Sequence, residues 1–215
     1  MRYQMTKFFC HNQKLFIVPV CAILSMLMTP ANLMLISRAQ SSEPSYRNKT
    51  VSQWVDALRN AEPRWRAEAA YALGQIGPRA EAAVPSLVLV AEKDSDHFVR
   101  SEAVYALGNM GAAARPALSF LIQLLKTDSI AGVRGAAATA LSTIGGDPTP
   151  VVGALVVVLK GDKSAYVRGC AALALGRLGS GAQTALPDLR KAAGDDASPV
   201  VRRRADEAIQ RIESE

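Results

Sequence analysis

A chain of 215 residues with two histidines and three cysteines offers little for a zinc or iron centre, which needs several nitrogen or sulfur ligands at short spacing. Its formal charge of +6, from 25 basic and 19 acidic residues, suggests a polyanionic partner, but the excess sits at one end. Residues 1–39 carry Arg2, Lys7, Lys14 and Arg38 and no acid, so 21 basic and 19 acidic residues remain. The resulting +2 supports no nucleic-acid partner.

The basic start is followed by Leu15 to Ile36, 22 residues without a charge, of which the 14 from Leu15 to Met28 are the most apolar. This is the pattern of a secretory signal, with small residues at Ser37 and Ala39, or at Thr29 and Ala31, offering cleavage sites. The competing reading is an uncleaved anchor, because such a run can just span a bilayer. Pro19, Thr29, Pro30 and Asn32 dilute the run and favour cleavage. Val20 stands before Cys21 where a lipoprotein site wants a small residue. Either way the rest of the chain is expected to be exported, periplasmic or extracellular, or tethered outside the cytoplasm, meeting the membrane only through this segment. Losing Cys10 and Cys21 would leave Cys170 alone, so no internal disulfide is expected.

Residues 40–49 read as a polar linker, and the sequon Asn48-Lys49-Thr50 within it reads as loop. A repeat domain follows over 50–215. Thr50-Val51-Ser52-Gln53 has the form of a capping box, opening a helix on which Val51, Trp54, Val55 and Leu58 share a face. Trp54 is expected to cover the open end of the first unit.

From Trp65 the chain reads Trp-Arg-Ala-Glu-Ala-Ala-Tyr-Ala-Leu-Gly-Gln-Ile-Gly, and it returns to this pattern every 34 residues, at Val99, Val133, Val167 and Val201. A fixed period of that size marks a repeat array. Within each copy the apolar offsets i, i+4, i+7, i+8 and i+11 lie on one stripe of a helix. Two alanine columns run through all five copies: Ala69, Ala103, Ala137, Ala171, Ala205, and Ala72, Ala106, Ala140, Ala174, Ala208. Alanine favours helix and adds no bulk, so neighbouring helices can approach closely. Gly77, Gly111, Gly145 and Gly179 stand where a left-handed C-cap is wanted, and Pro63 and Pro199 stand in a first turn.

A second helix separates the copies, as in Val84-Pro85-Ser86-Leu87-Val88-Leu89-Val90. Pro116 and Pro150 sit three residues earlier in their units than Pro85 and Pro187, so this second helix is expected to start at different points. The units are about 51–77, 82–111, 116–145, 150–179 and 184–213. Each pair is too small to bury its own apolar face, so stacking must complete the core. The predicted fold is all-α, an α-solenoid of five stacked helix pairs. The last inner helix turns polar at Arg203, Arg204, Asp206, Glu207, Gln210 and Arg211, which reads as a solvated cap.

Arg66, Arg100, Arg134, Arg168 and Arg202 open the inner helices, and six residues earlier stand Asn60, Asp94, Asp128, Asp162 and Asp196. An acid or amide accompanies every arginine, so this is read as a structural ladder through the inter-helix turns rather than an anion stripe.

The unit Val-Arg-x-x-Ala-x-x-Ala-Leu-Gly-x-Ile-Gly-Pro, followed by Ala-x-x-Val-Pro-x-Leu, resembles the short HEAT-like repeat of phycocyanobilin lyase subunits and related bacterial proteins. The resemblance covers roughly residues 50–214. It implies the solenoid fold and, as the alternative function, lyase-like or tetrapyrrole binding. No functional residue carries over, because no motif beyond the repeat columns is shared. Deoxyhypusine hydroxylases are also HEAT-like but bind iron through His-Glu pairs, and no such pair occurs here. His97 alone cannot assemble a triad. No catalytic residue, metal ligand or cofactor is therefore assigned, and the fold by itself fixes no activity. The expected function is a non-enzymatic scaffold that binds another protein on its concave side, with Tyr71, Gln75, Tyr105, Asn109 and Arg177 as contacts. Tyr71 and Tyr105 share a column in adjacent units, and aromatic residues with a polar tip are favoured interface anchors.

Overall fold

A computed structural model of the chain describes residues 43–214; the segment expected as a signal or anchor and the first part of the expected linker lie outside these residues. Among the described residues, ten α-helices form five pairs: α1 (Val51–Ala57) with α2 (Pro63–Ile76), α3 (Val84–Lys93) with α4 (His97–Asn109), α5 (Leu118–Thr127) with α6 (Ala131–Ile144), α7 (Thr149–Gly161) with α8 (Ala165–Arg177), and α9 (Leu186–Asp195) with α10 (Pro199–Ser214). None is long and apolar enough to cross a membrane. The inner helices α2, α4, α6, α8 and α10 stack on one another far more extensively than the outer row does, which makes theirs the concave side. Both alanine columns are buried, as are Leu73, Leu107, Leu141 and Leu175 beneath them and Leu87, Leu121, Leu155 and Leu189 from the outer helices. The fold is the expected all-α solenoid.

Close approach of the inner helices depends on a glycine facing an alanine. A Cβ on Gly74, Gly108 or Gly176 would stand 2.9, 3.0 or 2.8 Å from the Cα of Ala106, Ala140 or Ala208 on the next helix. Thr143 closes one of these contacts by donating its hydroxyl to the Gly108 carbonyl at 2.9 Å. After the helix come Gly77 (φ +68°, ψ −139°) and Gly145 (φ +73°, ψ 178°). Their φ is positive as expected, but ψ is extended rather than left-handed helical. Only glycine enters that region without strain, because a Cβ would strike the backbone.

Three of the turns then run through 3-10 segments, Gly77–Ala83, Gly111–Ala117 and Gly179–Ala185. The fourth does not. There Asp147 Oδ1 accepts the Thr149 N–H at 2.9 Å, and α7 starts three residues ahead of the register kept by α3, α5 and α9. Pro150 thus begins its helix early as expected, but Pro116 does not: it sits inside the 3-10 segment, and α5 starts in register at Leu118.

The polar linker also needs correction. Ser45–Tyr46 and Lys49–Thr50 pair as a small antiparallel hairpin, with Arg47 and Asn48 at positive φ as a tight two-residue turn requires. The hairpin packs on the first pair: Trp54 Nε1 donates to the Tyr46 carbonyl at 3.1 Å, and the Lys49 ammonium lies 4.5 Å from the Trp54 ring centre. Trp54 is itself buried, so the hairpin takes the covering role expected of it. The capping box forms, with the Thr50 N–H donating to Gln53 Oε1 at 2.9 Å.

The arginine column is joined differently from the way its spacing suggests. Each guanidinium makes a two-toothed contact with the aspartate 28 residues later, in the next unit: Arg66 with Asp94, Arg100 with Asp128, Arg134 with Asp162, Arg168 with Asp196, all at 2.6–3.2 Å. What lies six residues earlier is a main-chain carbonyl, which accepts from Nη1, as Asn60 does from Arg66 at 2.9 Å and Asp128 from Arg134 at 2.8 Å. The aspartate in turn accepts the N–H two residues on, as Asp162 does from Ser164 at 2.8 Å. Every rung therefore bolts one turn to the next. Arg202 keeps its main-chain contact to Asp196 at 2.7 Å and pairs with no carboxylate among the described residues.

The rungs are shielded, with the Arg134 and Asp162 side chains only 5% and 8% exposed. Burial alone would raise the Asp94 and Asp162 carboxyls, but the guanidinium and main-chain hydrogen bonds outweigh it and hold both below the ordinary value. The Arg168 hydrogen bond is the main cause of the same depression at Asp196. Breaking one side of such a pair is costly because the other charge stays buried.

Two predictions follow the packing and the ladder. Gly176→Ala is expected to destabilise by about 1–3 kcal/mol through overpacking, whereas Gly153→Ala, which meets nothing within 4 Å, is expected to stabilise by roughly 0.5–1 kcal/mol; urea melts of both variants check this. Aspartates depressed on folding contribute fully above their unfolded value of about 3.9, and that contribution is lost as pH falls through the folded value. Melting temperature is therefore expected to hold from pH 7 to about 5 and to drop below about 4. In Asp162→Asn the domain should lose about 3 kcal/mol or more at neutral pH and show a shallower acid decline.

Candidate functional site

The face left open by stacking is a stripe at offsets i, i+4, i+7 and i+11 on each inner helix, interrupted where Ala136 and Cys170 are buried. On α2 it reads Arg64, Glu68, Tyr71, Gln75; on α4 Phe98, Glu102, Tyr105, Asn109; on α6 Gly132, Ala136, Thr139, Thr143; on α8 Tyr166, Cys170, Leu173, Arg177; on α10 Val200, Arg204, Glu207, Arg211. The five residues expected as contacts all lie on it and all are exposed, Tyr71 at 46% and Tyr105 at 37%. Ala67, Gly135 and Gly169, which the repeat offsets also put on this arc, are buried beneath their neighbours.

The two tyrosines find different partners. Tyr71 meets Tyr46 of the hairpin edge to face, ring centres 6.5 Å apart. Tyr105 meets Tyr166, whose ring lies over Gly135 so closely that a Cβ there would be 2.5 Å from it. The Tyr166 phenol is held well above its ordinary value, first by burial and then by its contacts with Cys170 and Tyr105. Tyr166 and Phe98 were not among the expected contacts. Nor was the column Glu68, Glu102, Ala136, Cys170, Arg204. Counting 34 residues on from Arg64 leads to Phe98 and, two units further, to Tyr166; counting four residues on leads to the second column.

A shallow groove of about 530 Å³ lies between α2 and α4, lined by Arg64, Glu68, Tyr71, Asp96, Phe98 and Glu102 among others. Glu68 is paired with Arg47 at 3.2 Å. Burial pushes the Glu102 carboxyl up, and no ion pair with a described residue offsets it. At the other end Arg204 lies over Gly169, where a Cβ would be 2.8 Å from its Nη1, and reaches the Cys170 thiol. The Arg202-Arg203-Arg204 run is thus not one solvated cap: Arg202 sits in the ladder, Arg203 faces Glu207 at 3.7 Å, and Arg204 folds onto the concave face.

Clefts also follow the turn edge, one of about 400 Å³ lined by Lys160, Asp162, Arg168, Asp188 and Asp196. These recur over successive rungs, and their walls include the ladder pairs and the Lys160–Asp188 pair at 3.1 Å. They belong to the ladder. His97 opens α4 as an exposed residue, and among the described residues no three His, Cys, Asp or Glu converge as a metal site would require.

No curated protein matches the sequence. Among solved structures, the complex of CpcE and CpcF of phycocyanin lyase from Nostoc sp. PCC7120 is similar, with 24% identity and a TM-score of 0.65 over 79% of this chain and 67% of that one. A mutant of Kap121p is similar with 18% identity and a TM-score of 0.61 over 78% of this chain, which spans 19% of the other. Both are likenesses of fold. The HEAT repeats family matches residues 51–142 and 140–210, and with the stacked pairs, the ladder and the concave stripe in place, the chain belongs to that family.

Proposed function

We propose that this domain is a non-enzymatic scaffold that presents its concave stripe to another protein outside the cytoplasm. The observation that carries the reading is the exposure of Tyr71 and Tyr105 on helices locked together by the ladder. Such rings are rigid, apolar in body and polar at the tip, so they bury large areas at little entropic cost. Gln75, Asn109 and Arg177 flank them with hydrogen-bonding groups on the same open face. A similar solved structure is itself a complex of two chains, which supports an assembly role. Export rests on the uncharged segment from Leu15 to Ile36 and its basic start.

The test is crosslinking and affinity capture from the envelope fraction, comparing wild type with Tyr71→Ala, Tyr105→Ala. Helicity and melting of the variant are measured first, because both rings also have packing partners. Truncating two anchors is expected to weaken capture by about 30-fold or more. A specific partner held equally well by the folded variant would move the site elsewhere. No specific partner at all, or a coloured complex with an added tetrapyrrole, would favour a small-ligand function.

A further inference from the structure

We propose that the concave face binds its partner segment in one fixed direction, with acidic side chains over Arg177, Arg204 and Arg211 and a basic side chain over Glu102. This rests on the scaffold reading above and adds the chemistry of the partner. Followed along the array, the second column of the stripe changes from carboxylate to guanidinium: Glu68, Glu102, Ala136, Cys170, Arg204. The fourth column changes from amide to guanidinium: Gln75, Asn109, Thr143, Arg177, Arg211.

Of the charges at the two ends, Glu102 and the arginines of α8 and α10 are available for a partner, whereas Glu68 is paired with Arg47 and Arg64 shares its groove. Four of the ladder arginines spend their forks on aspartates, and Arg47, Arg190 and Arg203 face glutamates. Arg177, Arg204 and Arg211 face no carboxylate among the described residues. Arg177 and Arg211 share one column of adjacent units, and Arg211 follows Arg204 by two helical turns on the same face. Arg204 is pre-positioned by lying in the space that Gly169 leaves open. Planar guanidinium groups so held recognise carboxylates in the two-toothed manner that the ladder itself uses. At the opposite end Glu102 borders a groove walled by Tyr71 and Phe98, and aromatic faces beside a carboxylate suit a cation.

Between the ends lie Gly132, Thr139 and Thr143 on α6, where Ala136 is buried and Tyr105 and Tyr166 meet from the helices on either side. Three inter-helix steps of about 9–10 Å separate α4 from α10, a span that an extended chain covers in roughly nine residues. The occupant is therefore an extended protein segment of mixed charge. A nucleic acid is disfavoured because its phosphates would meet Glu102 at one end.

The probes are fluorescent nonapeptides added to the full chain: one with two glutamates at one end and two lysines at the other, one uniformly acidic, one uniformly basic. The mixed peptide is expected to bind best, and Arg177→Glu, Arg211→Glu, both exposed positions, to weaken it by about tenfold or more. Glu102→Gln is expected to weaken it several-fold. A photocrosslinker at the acidic end should label α8 and α10, and one at the basic end α2 and α4. Equal binding of the uniformly acidic peptide, no binding of the mixed one, or the same labelling from either end would overturn the proposal. The scaffold reading fails separately: a partner lost with the tyrosine pair but indifferent to Arg177→Glu, Arg211→Glu keeps the scaffold and removes the direction.

Discussion

The interaction on which the rest depends is the buried pairing of each arginine with the aspartate of the following unit. One guanidinium holds two carbonyls of its own turn with Nη1 and the next turn's carboxylate with Nε and Nη2, as Arg134 does toward Asp128, Ser129 and Asp162. Because both partners are fully hydrogen-bonded, their desolvation is offset, though such pairs specify register better than they add stability. The consequence is geometric. Successive inner helices start at the same height, so residues 34 apart line up as columns on the concave face. The proposed binding surface, made of single residues from five helices, is aligned because the turns are pinned this way.

Within that frame, side-chain size sets how near the helices come. Glycine against alanine brings α2, α4 and α6 together, and again α8 and α10; Ser142 occupies the glycine position on α6 and turns its hydroxyl back to the Thr139 carbonyl at 2.7 Å. At the same position on α10 stands Gln210. A second use of glycine lies on the concave side, where Gly135 and Gly169 make room for Tyr166 and Arg204 from the next helix. These two glycines let long side chains lie down across the inner row.

Much of this was legible in the sequence, for physical reasons. The 34-residue period, the helical stripe and the alanine columns all report one buried face, so the fold class follows from them. The ladder was visible as a column but not as a pairing, since sequence proximity favours the residue six positions back. Asn60 was the available clue. In the first unit no earlier arginine needs a carboxylate, and an amide suffices to accept the Glu62 N–H at 2.9 Å while the main chain serves Arg66. The hairpin was missed because its turn uses Arg47 and Asn48 without glycine, and its strands are two residues each. The tyrosine and amide positions on the stripe were legible from offsets. The partnering of Tyr105 with Tyr166 two units away was not, because it depends on the missing side chain at Gly135.

The most direct measurement of the central claim, that the concave stripe is the working surface, is hydroxyl-radical footprinting of the full chain with and without its captured partner. Tyr71, Tyr105 and Tyr166 report the inner helices, and the exposed Leu89 and Val157 report the outer ones. Shielding of the three tyrosines with unchanged labelling of Leu89 and Val157 is the expected result. Shielding of Leu89 and Val157 while the tyrosines stay open would contradict it and place the interface on the convex side.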